Sequence, residues 1–328
     1  MPGRLLNNHH KVGNFMSNFI TWSIIEGALE LGLIYSLIAL ALFLTYSMLN
    51  VCDLSTDGCY TLGCATGAAV AIAGHPVLAL FAAMGVGILS GLVNAFLQTR
   101  MNVESMLAGI IVNTGLYTIN LAIMGKSVLS MNDTDTLFTR MKDLLADTPI
   151  SGAYKFVLAI IFTGIVIILL LWFLGTRLGL SIRATGDNQD MVKSSSINPA
   201  MMTTIGLCIG GALTALAGCL IGEYQKSCDI NMGTGMVTVA LASLIIGETI
   251  FGRRSIKVRA FGVIFGSCLY RVIVAIALRM NLPASALKLV SAIIVAVAIS
   301  MPAIRRHAEF KRAKAQAMAR RKAAKEER

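Results

Sequence analysis

Two aspartates set among apolar residues, Asp53 and Asp57, are the side chains of this chain with the clearest capacity for chemistry. They lie in residues 50–63, NVCDLSTDGCYTLG, with Ser55 between them and Gly58 and Gly63 close by. The flanking runs are apolar enough to enter a bilayer. A charged group at that depth is costly and lines a cavity or pathway, and an interrupted helix there must be buried in protein or beside water. The chemistry this permits is recognition of a polar solute or relay of a proton; the competing reading is an ordinary polar loop. Asn94, Asn113 and Asn120 place neutral donors and acceptors inside other apolar runs. Asn113 and Asn120 are seven apart, near one helical face, and interhelical hydrogen bonding is their alternative role. Glu26 and Glu30 share a face at i,i+4 and rank lower, because an interfacial position leaves them ionised at little cost.

Covalent and metal chemistry find no support. His9, His10, Asp53 and His75 share no ligand spacing. The seven cysteines are odd in number and contain no CxxC, so they read as small packing residues. No nucleophile–base pair stands out. A second polar constellation has a different character. Residues 183–198, RATGDNQDMVKSSSIN, form a short-helix-like insert between two long apolar runs. It reads as a cytoplasmic projection that touches another protein, against the alternative of a solvated loop.

The elements that position these residues follow from composition. Hydrophobic residues make up 56% of 328 positions and charged residues 14%, against about 25% charged in soluble domains. Nine apolar spans run over residues 19–49, 60–73, 77–97, 106–124, 154–174, 201–221, 237–250, 260–278 and 287–301. Roughly 20 such residues cross a hydrocarbon core, and the ten-residue alternation of a β-barrel is missing. The expected fold is all-α: a polytopic helical membrane protein with about 8–10 transmembrane helices, the second broken or re-entrant.

Charge orients it. The segment from Arg305 to Arg328 holds ten Lys/Arg and three Glu, which marks a cytoplasmic tail lying against anionic headgroups of membrane lipids; nucleic acid is the weaker reading of such a run. Arg100, Arg177, Arg183, Lys193, Arg253, Arg254, Lys257 and Arg259 fall on the same side. Residues 125–152, of mixed charge and long enough for a short helix, then face outward, as does the loop 223–233. Arg4 and Lys11 favour an inside N-terminus. The organisation is thus a polar segment 1–18, a membrane domain 19–303 with a cytoplasmic loop 177–200, and a basic tail 304–328.

Four stretches, in order, carry a family resemblance. The run Glu26-Gly27-Ala28-Leu29-Glu30-Leu31-Gly32-Leu33-Ile34-Tyr35-Ser36-Leu37 resembles a first-helix pattern. Asp53-Leu54-Ser55 with Leu62-Gly63 resembles a second-helix motif. Residues 179–198 resemble a loop that docks on an ATPase. Leu244-Ile245-Ile246-Gly247 and Phe251-Gly252-Arg253-Arg254-Ser255 resemble a later Gly-rich signature. Over residues 24–302 the chain resembles permease subunits of bacterial ABC importers for branched-chain amino acids, ribose and related sugars, and nucleosides. Within that family it looks nearest the branch paired with aromatic-amino-acid-type binding lipoproteins. It departs from the pattern at Ser196, where Gly is common, and at Glu248 and Arg253, where small residues are frequent.

The resemblance implies a bacterial cell-membrane permease that is no enzyme itself. It implies a separate cytoplasmic ATPase that binds ATP and Mg, an external substrate-binding lipoprotein, and a second permease copy, a homodimer. Gly125-Lys126-Ser127 lacks the Gly that a P-loop needs at position 120, where Asn120 stands, so ATP must act through a partner. Residues 185–197 are expected to form one short coupling helix capped by Thr185 or Asp187. Asp187, Asp190 and Lys193 would make its polar contacts, while Met191, Val192 and Ile197 would pack on the ATPase. Asp53, Ser55, Asp57, Asn94, Asn113, Asn120 and Glu248 are the candidates for the substrate path. The cargo is expected to be a small polar solute, an amino acid before a sugar or nucleoside. An ion-coupled secondary transporter, with the aspartates as relays, and a channel are the readings from other classes.

Overall fold

In a computed structural model the chain is described over residues 22–132, 134–144, 153–252 and 255–279, with residues 289, 292, 293, 296, 297 and 300. The expectations for segment 1–18, the side of the N-terminus, the tail 304–328, Arg253 and most of the ninth span fall outside these residues. The described residues form eleven α-helices, one π-helical turn and a two-stranded ribbon.

Helix α1, Trp22–Leu42, is an unbroken Leu/Ile/Ala-rich run that continues into the π turn Phe43–Met48. Asn50 then adopts φ 58°, a left-handed conformation that Asn tolerates better than most residues, and the chain turns back. Helix α2 is Thr56–Ile72. Pro76, acceptable in a first turn because it has no N–H to lose, opens α3, Pro76–Thr99. Helix α4, Ser105–Met124, stops at Gly125, φ 66°, a common left-handed helix terminator. The Gly-Lys-Ser that follows α4 therefore ends a helix, whereas a P-loop opens one.

Strand β1, Val128–Ser130, and helix α5, Leu137–Leu144, follow. Helix α6 is Tyr154–Gly175; α7 and α8, Arg177–Asp187 and Gln189–Ser194, form the polar insert. Then come α9, Pro199–Gln225, strand β2, Ser227–Asp229, α10, Met236–Phe251, and α11, Ile256–Arg279. The first eight expected spans each contain a helix. Among the described residues, six helices are long and apolar enough to cross a membrane: α1 with its π turn, α3, α4, α6, α9 and α11. Helices α2 and α10, at 17 and 16 residues, fall short of the roughly 20 that a full crossing takes.

Strands β1 and β2 pair antiparallel, with Leu129 opposite Cys228, which holds the ends of α4 and α9 on one side, the ribbon side. Helix α5 sits there too: Phe138 is buried edge-on against Tyr224, and the Leu137 N–H donates to Glu223 Oε2 (2.7 Å). The mixed-charge loop thus carries the short helix expected of it. Helices α7 and α8 lie at the opposite end, the insert side.

The middle of the bundle is α9, packed against α3, α2 and α1. Its apolar stretch is 83% buried, against 28% for α4. Small residues allow this approach: a Cβ on Gly63 would fall on the Ala215 backbone, and one on Gly218 on the Tyr60 carbonyl. The periphery is apolar in the other sense. Phe81 and Leu89 on α3 and Ile168, Leu169 and Trp172 on α6 are exposed, a surface of a kind that lipid covers.

Candidate functional site

The break between α1 and α2 is held by a closed polar cluster. Asp53 Oδ1 accepts from the Ser55 N–H (2.8 Å), the Ser55 hydroxyl (2.6 Å) and Asn94 Nδ2 of α3 (2.8 Å). Asn94 Oδ1 accepts from Gln98 Nε2 (3.0 Å), and the Thr56 hydroxyl donates to the Asp53 carbonyl (3.0 Å). A side chain that bonds its own backbone two residues on builds a turn; here the turn launches α2 and Asn94 pins it to α3. Asp53, Ser55 and Asn94 are all buried. The structure brings these three candidates together, away from the polar cavity described next.

Asp57 has a different setting. Its Oδ2 accepts from the Gly235 N–H and its Oδ1 from the Val237 N–H, both at 2.9 Å. It thereby satisfies donors that the start of α10 leaves without intrahelical partners. One residue on, the Gly58 carbonyl accepts from Asn120 Nδ2 of α4 (3.1 Å). Asn113 and Asn120 lie about 12 and 22 Å along a helix of about 30 Å, so this level is near mid-membrane. Helices α2 and α10 therefore meet N-terminus to N-terminus inside the bundle, α2 running to the ribbon side and α10 to the insert side.

A cavity of about 300 Å³ opens at this junction, walled by Asp57, Thr61, Asn113, Tyr117, Asn120 and Asn231, with Thr114 and Thr234 beside them. Asp57, Asn113 and Asn120 are the predicted path residues that line it. Asn120 is only 1% exposed, and its Oδ1 has no hydrogen-bond partner among the described residues. Tyr117 was within reach of sequence reasoning, since 113, 117 and 120 share a helical face. Asn231 and Thr234 were not, because the loop read as purely external dips to mid-depth to begin α10.

Glu248 stands elsewhere. Its Oε1 accepts from the Ser47 hydroxyl (2.7 Å) and from Arg259 Nε (3.2 Å) and Nη2 (2.5 Å). Arg259 also donates to Ser47 and lies over the Phe43 ring. The pair, 9% and 15% exposed at its side chains, ties α10 and α11 to the π turn. Glu30 is buried too, accepting from the Tyr224 hydroxyl (2.8 Å) near the ribbon side.

The insert differs from the single helix expected. Asn188, extended at φ −159° and ψ 106°, separates α7 from α8 and caps α8 by accepting from the Asp190 and Met191 N–H groups (3.0 and 3.1 Å). An Asn side chain competes well for such orphan donors. Thr185 and Asp187 are not the cap. Thr185 is buried within α7 and donates to the Ser181 carbonyl (2.7 Å), and Asp187 is the last residue of α7. Val192 is 2% exposed and so faces its own chain, Ile197 packs against the core, and Met191 is 68% exposed. Lys193 and Asp190 form an exposed pair at 3.3 Å. Gly186 abuts the backbone of Met48 and Leu49, so the insert touches the foot of the π turn. Among the described residues, no group of three or more His, Cys, Asp or Glu is placed to hold a metal ion.

Comparison with known proteins finds relatives over most of the chain. Residues 24–300 match the family described as branched-chain amino acid transport system, permease component. The tyrosine transport system permease protein of Clostridioides difficile (strain R20291) is 35% identical over 264 residues, 80% of this chain and 86% of that one. The ribose import permease protein of Escherichia coli (strain K12) is 25% identical over 243 residues, 73% of each chain. The galactofuranose transporter permease protein of the same strain is 25% identical over 199 residues, 60% of this chain and 55% of that one. No solved structure matches significantly. These relatives are transport subunits, not enzymes, and the chain belongs to this family of multi-pass membrane permeases of ABC importers for amino acids and sugars.

Proposed function

We propose that this chain is the membrane subunit of a bacterial importer that moves an amino acid across the cell membrane, driven by a separate cytoplasmic ATPase that binds ATP and Mg. The observation that carries the reading is the polar cavity where α2 and α10 meet at mid-depth, because short helices meeting inside the membrane are how transporters expose backbone and side-chain groups to a solute. The relative named for tyrosine, at 35% identity, favours an amino acid; the ribose permease, at 25%, keeps a sugar as the second reading. The exposed Met191 on α8 and the contact of Gly186 with Met48–Leu49 support the insert as the ATPase docking element, with its side and the tail in the cytoplasm. An external binding lipoprotein delivers the solute on the ribbon side. The second permease is another copy of the chain. Thr114 and Tyr117 of α4 are exposed beside the cavity, and polar groups on a spanning helix turn toward protein or water rather than lipid.

Proteoliposomes that carry the chain, its ATPase and its binding lipoprotein test this. ATP-driven uptake of tyrosine that survives an ionophore and vanishes with an inactive ATPase is expected. Uptake that follows an ion gradient without ATP would refute the reading, and uptake of ribose in place of amino acids would overturn the cargo.

A further inference from the structure

We propose that the mid-depth cavity is an ammonium site, in which Asp57 supplies the counter-charge and Asn120 Oδ1 an acceptor for the amino group of the passing solute. This rests on the amino-acid reading above and narrows it to a part of the solute and the residues that hold it.

Charge gives the first reason. Among the described residues, Asp57 is the one Asp or Glu in the cavity wall, and no Lys, Arg or His lines it. A carboxylate offers about four lone-pair sites; backbone N–H groups at the start of α10 take part of that capacity, and Asp57 lines a polar space at membrane depth. Such a wall disfavours an anion and gives a neutral sugar no advantage over a cation. The second reason is independent of charge. Asn120 spends Nδ2 on the Gly58 carbonyl at 3.1 Å, which fixes Oδ1 as the free end. That oxygen is buried and unpartnered, and a buried acceptor left without a donor is expensive. Asn113 brings a second amide to the same wall. An ammonium group carries three donors and a positive charge, matching one carboxylate and neighbouring amide oxygens.

The full-length chain in lipid nanodiscs provides the test, with ligand contact read by saturation-transfer NMR. The probes are tyramine and tyrosine, which carry the amine, and 3-(4-hydroxyphenyl)propionate and ribose, which lack it. Contact with the two amines and none with the other two is expected. Asn120→Leu and Asn113→Leu should each weaken tyramine binding by roughly tenfold while the unfolding midpoint stays near wild type. Asn113→Leu keeps the experiment decisive if loss of the Gly58 bond unfolds the Asn120 variant. Ribose or the deaminated acid binding as tightly as tyramine would overturn the site, as would amine binding unchanged in both variants. The two levels separate cleanly. Amine binding without ATP-driven amino-acid uptake keeps the site and sinks the importer. Tyrosine uptake unchanged in both variants keeps the importer and sinks the site.

Discussion

Replacing Met191 by Asp separates the surface proposed to meet the ATPase from the fold that presents it. Met191 is 68% exposed on α8 while its neighbour Val192 is 2% exposed. In the free permease, Met191→Asp removes little packing, and a carboxylate in the first turn of α8 is favourable to the helix; stability should stay within about 0.5 kcal/mol. Against an ATPase groove the balance reverses. Full burial of a Met side chain is worth about 1.5–3 kcal/mol, and two-thirds of it remains to be buried here. The loss is then about 1–2 kcal/mol, roughly tenfold in affinity, before the cost of desolvating the new carboxylate. Val192→Asp does the opposite. It drives a charge into the chain's own interior, costs several kcal/mol and fails as folded protein. The assay pairs the thermal unfolding midpoint of each purified variant with ATPase co-purification and ATP-driven uptake. Met191→Asp should match wild type in the first and fall about tenfold in the others. Wild-type uptake with an intact complex, or a Val192→Asp variant as stable as wild type, would refute the reasoning.

Gly63→Val places methyl groups where the Ala215 backbone already lies and should cost about 1–3 kcal/mol or more, read as a lowered unfolding midpoint; an unchanged one would deny the close α2–α9 approach. Glu248→Ala strands the Arg259 charge, whose partner sits at 2.5 Å, at about 3–5 kcal/mol; Arg259→Ala removes the same ion pair while Ser47 still donates to Glu248, and should cost less. The double variant should regain much of that, and a coupling energy near zero in the cycle would dismiss the pair. Asn94→Ala deletes a 2.8 Å bond to a buried carboxylate, about 1.5–3 kcal/mol. It should lower stability while leaving the preference among solutes alone, and a changed preference would move the Asp53 cluster into the path.

The sequence carried most of the fold because lipid leaves few options. Eight of the expected spans contain helices, and the break near residue 50 was visible as Asp, Asn and Gly among apolar residues. What escaped it was long-range. Nothing local says that Asp57 and Asp53, four residues apart, part company: one closes a turn against Asn94, the other caps a helix that begins about 180 residues later. The two-helix form of the insert was legible in principle. Thr176, Asn188 and Asn198 are all good caps, and each opens a helix. The single-helix expectation gave Asn188 no such role. Val192 was read as a surface anchor because its neighbours are polar, whereas only tertiary packing decides which face of a six-residue helix is covered. Glu248 looked like a path residue until Arg259, eleven positions on, supplied its charge partner.

These contacts make α10 a structural link between the mid-depth cavity and the insert side. Near its start it is held by Asp57, and near its end Glu248 is bonded to Ser47. Residues 47 and 57 flank the break, so α10 braces the two sides of the one discontinuity in the α1–α2 path. The insert bears on the same place, since Gly186 abuts Met48 and Leu49. A displacement of the insert therefore has two packed routes to the cavity. One runs through residues 49–55 to Asp57, and the other through Ser47 and Glu248 along about 16 Å of α10. Helix α10 is continuous along its route, whereas the backbone of 49–55 is not helical. The ion pair at the foot of α10 holds that helix to the π turn, and the Asn94–Asp53 bond at the break holds the start of α2 to α3.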